Sequence, residues 1–360
     1  MNLKKLDIYI IRKFLGTFFY AISLLIIIII IFDISEKMDD FLRTNPSLYK
    51  IIFNYYLNFI PYFVNMFSPL FTFIAVIYFT SRLAANTEIV AILNSGISFR
   101  RLLSPYLISA IFIALCSFAL SNFLIPYTNK NMIEFEMMYI KNKHYSQETN
   151  MHMQINPGIF AYAEHYNSDA NIAYHFCIEK INEKGLYYKL TSDNAQYDTT
   201  EGTWHIQNYY IRTIDGTKET IKNGASIDTT LNLKPSDFIE NLHDIETMNL
   251  MELNSFIADE ALKGSDRINY YLVEKHKRIA FPFATVVLTL IGVSLSSQKR
   301  RGGTGINLGL GLILSFAFIL FMQISTTFAT NGNLPPQIAV WIPNIIFGAL
   351  GIYLLRMAPK

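Results

Sequence analysis

Six stretches of this chain are long and apolar enough to cross a bilayer, and they fall three and three around a polar middle. That layout leaves few folds open, because a backbone in hydrocarbon must satisfy its own hydrogen bonds as a helix or a closed barrel. The first stretch, Phe14 to Ile34, contains the run Ile26 to Ile31; its 21 residues at ~1.5 Å rise match a hydrocarbon core of ~30 Å. The FDISEK that follows offers no small-residue cleavage site, so this span reads as retained. The second, Ile51 to Phe79, carries Pro61, Pro69, Asn54, Asn58 and Asn65. Such residues need neighbouring helices or water to satisfy the backbone, so it is either a kinked span in a bundle or a polar wall of a cavity. The third, Pro105 to Ile125, opens with Ser104 as N-cap and proline at the first helical position. Ile279–Leu295, Ile306–Phe328 and Ile338–Leu355 follow the middle segment. The expected architecture is an α-helical membrane protein with three spans in 1–126, an inserted domain over 127–270, and three spans in 271–360.

Basic residues orient these spans. With the N-terminus inside, the cytoplasmic segments hold 12 Lys and Arg (4, 5, 12, 13, 82, 100, 101, 299, 300, 301, 356, 360), whereas the short outer loops hold only Lys37, Arg43 and Lys50. The positive-inside rule then puts both termini in the cytoplasm and the insert outside, in the periplasm if the membrane is a bacterial inner membrane. The chain's net charge of +2 hides an acidic insert, with 12 Lys and Arg against 21 Asp and Glu between Tyr127 and Tyr270. No basic stripe remains for nucleic acid. Cys116 falls in a span and Cys177 in the insert, so the two cysteines should not pair.

The insert reads as β. GIFAYAEHY, IAYHFCIEKI, GLYYKLTSDNAQYD and GTWHIQNYYIRTIDG alternate partly with period two and are separated by Asn167-Ser168-Asp169, Glu183-Lys184-Gly185 and Glu201-Gly202. Tyr174, Phe176 and Ile178 are expected on one face, as are Trp204, Ile206, Asn208 and Tyr210. The spacing suggests a sandwich or jelly roll. An amphipathic helix over Asn249–Lys263 ends near Gly264.

Between spans two and three lies RLAANTEIVAILNSGISFRRLLSP. Arg82 to Asn94 reads as a short helix stopped by Ser95-Gly96, with Glu88 its only acid. It could lie on the inner leaflet, or dock into a groove on a cytosolic protein. Gly302, Gly303, Gly305, Gly309 and Gly311 do not form a nucleotide loop, since no G-x-x-x-x-G-K-[ST] exists here; Gly305 and Gly309 read as a small-xxx-small step for helix packing. His165, His175 and Cys177 lack zinc spacing, and neither a nucleophile elbow nor H-E-x-x-H is found. Nothing in the sequence marks an enzyme. In EKHKRIAFPF, Arg278 stands on the outer side of span four, where it either snorkels with Glu274 at i, i+4 or meets an anionic lipid phosphate.

Taken in order, LDIYIIRKFLGTFF, TEIVAILNSGISFRRLLSP, AQYDTTEGTW, KHKRIAFPFA and LPPQIAVWIPN resemble the LptF/LptG (YjgP/YjgQ) permeases of the lipopolysaccharide-export ABC transporter. The resemblance covers essentially the whole chain. It implies a partnership with a paralogous permease as a heterodimer, and with a cytosolic ABC ATPase dimer that docks on coupling helices and consumes the ATP; this chain would bind no cofactor itself. The implied coupling residues here are Arg82, Glu88 and Gly96. Lipopolysaccharide would enter between the first and fifth spans, pass to the periplasmic jelly roll, and leave through a bridge protein of the LptC/LptA type. Candidate headgroup contacts are Lys37, Arg43 and Arg278. Phe160, Tyr162, Phe176, Ile178, Trp204 and Ile206 line either an acyl groove or a closed core. One departure stands out: the family's basic outer end of span one reads FDISEKMDDFL here, acidic around a lone Lys37.

Two rivals remain. A lipoprotein-release type of permease would have one span, a domain and then three spans, which the three-plus-three layout opposes. A membrane-tethered scaffold whose β domain binds an envelope protein would need no coupling helix.

Overall fold

Apolar length dictates six helices, and in the computed structural model they run well past the hydropathy limits. Residues 4–140, 149–168, 170–238, 244–265, 267–298 and 303–357 are described; Lys299, Arg300, Arg301, Gly302, Lys360 and Asp169 lie outside them. The spans are Lys5–Thr44, Leu48–Ala85, Phe99–Tyr139, Ile268–Ser296, Gly305–Thr330 and Pro336–Met357, referred to as spans 1 to 6. Span 1 has 40 residues, ~60 Å of helix, about twice a hydrocarbon core. The polar turns beyond Ile34 stay helical because helices persist into water; hydropathy marks only the part that lipid touches. Span 3 likewise continues to Tyr139, through a π-helical segment at Leu120–Leu124, instead of ending at Ile125.

The chain forms two units. Met1–Ile140, Glu246–Leu250 and Asn269–Lys360 make the helical one, and Lys141–Ile245 with Met251–Ile268 the other. The insert therefore begins near residue 141 rather than 127.

Within the helical unit, Ile10, Phe14, Phe18 and Ile22 of span 1 form one stripe at i, i+4 spacing. They cluster with Val76, Phe79 and Leu83 of span 2 and Leu103, Tyr106 and Ile113 of span 3. The other side of span 2, Phe73 and Ile77, packs with Leu288 and Ile291 of span 4, Phe318 and Met322 of span 5 and Phe347 of span 6. Span 2 is thus shared by both clusters. Close approach happens at Gly292 and Gly311, not at the expected Gly305 and Gly309. A Cβ on Gly311 would fall 2.2 Å from Ile77 Cδ1, and one on Gly292 2.9 Å from Val76 and 3.0 Å from the Phe73 ring; Gly305 and Gly309 meet nothing within 4 Å.

Span 3 starts earlier than expected. Ser98, not Ser104, caps it, accepting from the Arg101 N–H at 3.4 Å, and Pro105 sits inside the helix. A proline there leaves the carbonyl four residues back without its N–H partner. Ser104 Oγ donates to that Arg101 carbonyl at 2.8 Å, so the serine repairs what the proline removes.

The second unit is one antiparallel sheet of six strands in chain order: β1 Thr149–Asn156, β2 Ile159–Asn167, β3 Ile172–Asn182, β4 Gly185–Asp198, β5 Thr203–Asp215 and β6 Lys218–Thr229. The inserted β domain is as expected, but its described strands form a meander rather than the Greek-key connection of a jelly roll. β1 and β6, the two edge strands, lie outside the four strands that the sequence suggests; in β6 nearly all side chains are exposed, leaving no alternation to read, and its charges suit an edge strand. The core face gathers Ala163, Phe176, Ile178, Leu190, Trp204 and Ile206 under Leu233 and Phe238. Trp204 Nε1 donates to the Leu233 carbonyl at 2.8 Å, and its ring stacks on Phe176 with centroids 5.8 Å apart. Helix Leu250–Lys263 ends at Gly264, whose φ of +72° supplies the left-handed stop.

The expected faces hold for only half of each strand. Phe176 and Ile178 point to the core but Tyr174 is exposed; Trp204 and Ile206 are buried but Asn208 and Tyr210 are exposed, with Tyr209 buried instead. The cause is a line of left-handed residues, Asn150 (φ 60°), His175 (φ 50°) and Asn208 (φ 50°). Pairs on both sides of this line keep one register, as with His165↔Tyr174 and Tyr162↔Cys177, or Asn194↔Gln207 and Ser192↔Tyr209. The sheet is therefore creased across all these strands at once, and period-two alternation changes parity there.

Gly292→Leu is expected to lower stability by about 1–3 kcal/mol through overpacking against Phe73 and Val76, whereas Gly305→Leu should leave it unchanged. Thermal melting of the two purified variants in one detergent checks this.

Candidate functional site

At the end of the helical unit that carries Lys5, span 2 stops at Ala85 and a separate helix, Glu88–Asn94, follows. The single helix expected over Arg82–Asn94 is broken because Thr87 takes φ 58°, a left-handed conformation that no α-helix continues through. Arg82 accordingly belongs to the last turn of span 2 and is exposed, and Glu88 opens the short helix. Ile89, 1 % exposed, anchors this helix in the cluster of Ile10, Phe14 and Leu103, while Val90, Ala91 and Asn94 face outward. Glu88 reaches Tyr9 Oη at 3.5 Å and Asn86 Nδ2 at 3.3 Å. Gly96, with φ +88° and nothing within 4 Å of a Cβ, makes the turn into span 3 by its backbone freedom alone.

Beside this helix lies a pair that the sequence concealed. Arg101 forks onto Asp7, Nη1 to Oδ1 at 2.7 Å and Nη2 to Oδ2 at 2.5 Å, across 94 residues. Asp7 also accepts from the Lys4 N–H at 2.8 Å and is almost wholly buried. Bidentate pairing fixes direction as well as distance, so the first turns of spans 1 and 3 are held in one geometry. In the sequence Arg101 reads only as an orienting charge. On another face of span 1 a cavity of about 850 Å³ opens, between Gly16 and Tyr20 of span 1, Ile74 and Tyr78 of span 2, and Leu308 of span 5, with Arg12 and Lys13 on its wall.

The three headgroup candidates are not brought together. Lys37 lies 3.0 Å from Asp33 and 3.3 Å from Glu136, and donates to Tyr55 Oη, so it ties span 1 to spans 2 and 3. Arg43 is exposed, 3.3 Å from Asp40. Arg278 is buried rather than snorkelling: it donates to the Met248 carbonyl at 2.7 Å and lies 3.8 Å from Glu274. With Lys277 it lines a separate cavity of about 440 Å³ between spans 2, 3, 4 and 5, whose apolar wall includes Phe67, Leu70, Phe281 and Phe316. Asn129, also on that wall, is buried with Oδ1 unpartnered among the described residues.

The six acyl-groove candidates divide between two faces. Phe176, Ile178, Trp204 and Ile206 are at most 3 % exposed in the packed core. Phe160 and Tyr162 stand on the opposite face, on a trough of about 520 Å³ shared with Cys177, Asp193 and Asn208. Burial pushes the Cys177 thiol up to about 11, so it stays protonated near neutral pH.

The profile of the lipopolysaccharide export system permease family LptF/LptG matches residues 8–357. The chain belongs to that family. No curated protein matches it individually. An LptF/LptG permease is a transport protein of lipopolysaccharide export, and this chain has six candidate membrane spans with an inserted β domain. Among the described residues no group of three or more His, Cys, Asp or Glu could hold a metal ion.

Two outcomes follow from this geometry. Arg101→Ala strands a buried carboxylate, whereas Asp7→Ala leaves a guanidinium that can turn to water, so Arg101→Ala should lower the melting temperature more. In a Cys116→Ser background, maleimide-type or iodoacetamide labelling of Cys177 should be slow at pH 8, with about one thiol in a thousand ionised, and should rise about tenfold per pH unit up to about 11. Fast labelling at pH 8 would contradict the burial described.

Proposed function

We propose that this chain is one permease subunit of an ATP-driven exporter that draws lipopolysaccharide out of a bacterial inner membrane. It hands the lipid to a periplasmic bridge of the LptC/LptA type leading toward the outer membrane. Its partner is a paralogous permease, in a heterodimer, and a dimer of cytosolic ABC ATPases supplies the work. The chain itself has no Walker motif, so ATP is bound and hydrolysed by that partner. Both termini and the helix Glu88–Asn94 face the cytoplasm in this reading, and the β domain faces the periplasm.

The observation that carries the proposal is the short helix itself. Its outward face of Val90, Ala91 and Asn94 is open, while its inward Ile89 sits in the cluster shared by spans 1, 2 and 3. A push on the outward face therefore reaches those spans without crossing a flexible linker. The Asp7–Arg101 fork makes spans 1 and 3 move with it, and span 1 is one wall of the 850 Å³ cavity beside Leu308 of span 5. Movement of the helix would thus change a cavity between the first and fifth spans, where lipid is expected. Of the three candidate cations for a lipid phosphate, Arg278 is the one that lines the 440 Å³ cavity, beside Lys277.

Co-purification of an ATP-binding-cassette protein with the tagged chain tests this. The ATPase should come down with the parent protein, and Glu88→Lys should reduce its recovery at least tenfold while leaving the permease folded. Recovery unchanged by Glu88→Lys, together with normal growth of cells relying on that variant, would favour the scaffold role instead.

A further inference from the structure

The crease places five residues opposite one another across five strands: Asn150, Glu164, His175, Asp193 and Asn208, as the registers on either side require. Three of them, Asn150, His175 and Asn208, are non-glycine residues at positive φ, a conformation that persists where the surroundings enforce it, commonly at ligand sites. Its effect is local and visible. Two consecutive β3 side chains, Tyr174 and His175, turn away from the core, and the face opposite the core becomes a trough of about 520 Å³.

The walls of this trough are aromatic and its other side chains are polar. Phe160 and Tyr210 remain 37 % and 57 % exposed, and Tyr162, two residues from Phe160 on β2 and in the same cross-strand row as Tyr210, has its ring 4.4 Å from that of His152. Asn208 Nδ2 donates to Asp193 Oδ2 at 3.0 Å, and Lys189 pairs with Glu179 at 2.7 Å. Each pair offers a donor and an acceptor side by side. An acyl chain would strip water from four polar groups without replacing their hydrogen bonds. A polyanion would meet two carboxylates against one lysine. Among the described residues no group of three or more His, Cys, Asp or Glu here could hold a metal ion. A sugar suits both halves: its C–H faces rest on the negative faces of aromatic rings, and its hydroxyls donate and accept in the same plane as the paired side chains.

We propose that this trough binds an oligosaccharide through Phe160, Tyr162 and Tyr210 as ring platforms and Asp193, Asn208 and Lys189 as hydroxyl partners. Resting on the transport reading above, the saccharide is that of the exported glycolipid, held on the outer face of a sheet whose inner face is closed. A cell-wall glycan fragment has the same chemistry and is the other source to separate.

The full chain in lipid nanodiscs is to be titrated with three probes: lipopolysaccharide core oligosaccharide freed of lipid A, a muropeptide, and lipid A alone. Saturation-transfer NMR and native mass spectrometry provide the readout. The core oligosaccharide should bind, and Tyr210→Ala and Asp193→Ala, both at exposed positions, should each weaken it at least tenfold. Ile221→Ala, on exposed β6, should not. Lipid A binding should be the same in all variants. Muropeptide binding with the same sensitivity would keep the trough as a saccharide site but assign it to the cell wall. Failure of lipid A to bind while the oligosaccharide does would remove the transport reading and leave the trough. No saccharide binding by the parent chain, or equal binding by parent and both trough variants, overturns the proposal.

Discussion

A helix in hydrocarbon has no water to fall back on, so every break in its hydrogen-bond ladder must be mended by another part of the protein. The helical unit is organised around that demand. Span 2 contains a π-helical segment at Ile51–Tyr56 and two prolines, and Asn58 Nδ2 donates to the carbonyls of Phe53 and Asn54 at 3.0 and 2.9 Å. Ser104 does the same for Pro105, and Asn344 Nδ2 reaches the Ala280 carbonyl at 2.9 Å between spans 6 and 4. Asn65 bonds Ser117 and Ser121 of span 3 at 2.6 and 2.8 Å. Polar residues that invite a cavity interpretation therefore serve mainly to let irregular helices pack. Only afterwards do some of them, Asn65 included, also border the 440 Å³ cavity.

The same economy governs charge. Lys37 is held by Glu136 of span 3 as well as by Asp33 one turn back, and Arg101 of span 3 is held by Asp7, at opposite ends of span 1. These contacts fix span 1 to its neighbours at both ends, with the Ile10, Phe14, Phe18 and Ile22 stripe between. The acidic stretch of span 1 from Asp33 to Asp40 has a structural counterpart in the Asp33–Lys37–Glu136 cluster. The helix Glu88–Asn94 is held to these spans by apolar contacts, Ile89 fully buried and Ile92 and Leu93 partly so.

In the β domain, one backbone feature decides what each face can do. Without the left-handed residues at 150, 175 and 208, alternation would run unbroken and Tyr174, Asn208 and Tyr210 would point to the core, as simple counting predicts. With them, Trp204 and Phe176 close the interior with Leu233 and Phe238, and the opposite face acquires the trough. The cost of three strained residues is met by a sheet whose ladders resume in register on both sides.

Much of this was legible in the chain itself. Six apolar stretches, the four strands β2 to β5, the helix before Gly264 and the family resemblance follow from local patterns of hydropathy, alternation and turn residues, which depend only on neighbours in sequence. β6 left no such pattern because an exposed edge strand has no buried face to encode. Helix ends, the break at Thr87, the site of close packing at Gly292 and Gly311, and the parity change at the crease depend on what lies opposite in space. So does the Asp7–Arg101 fork, whose partners are 94 residues apart. Local physics determined which segments cross lipid and which form strands; only three-dimensional packing decided which charges are spent on holding them together, because a charge has no preferred partner until the fold brings one within reach.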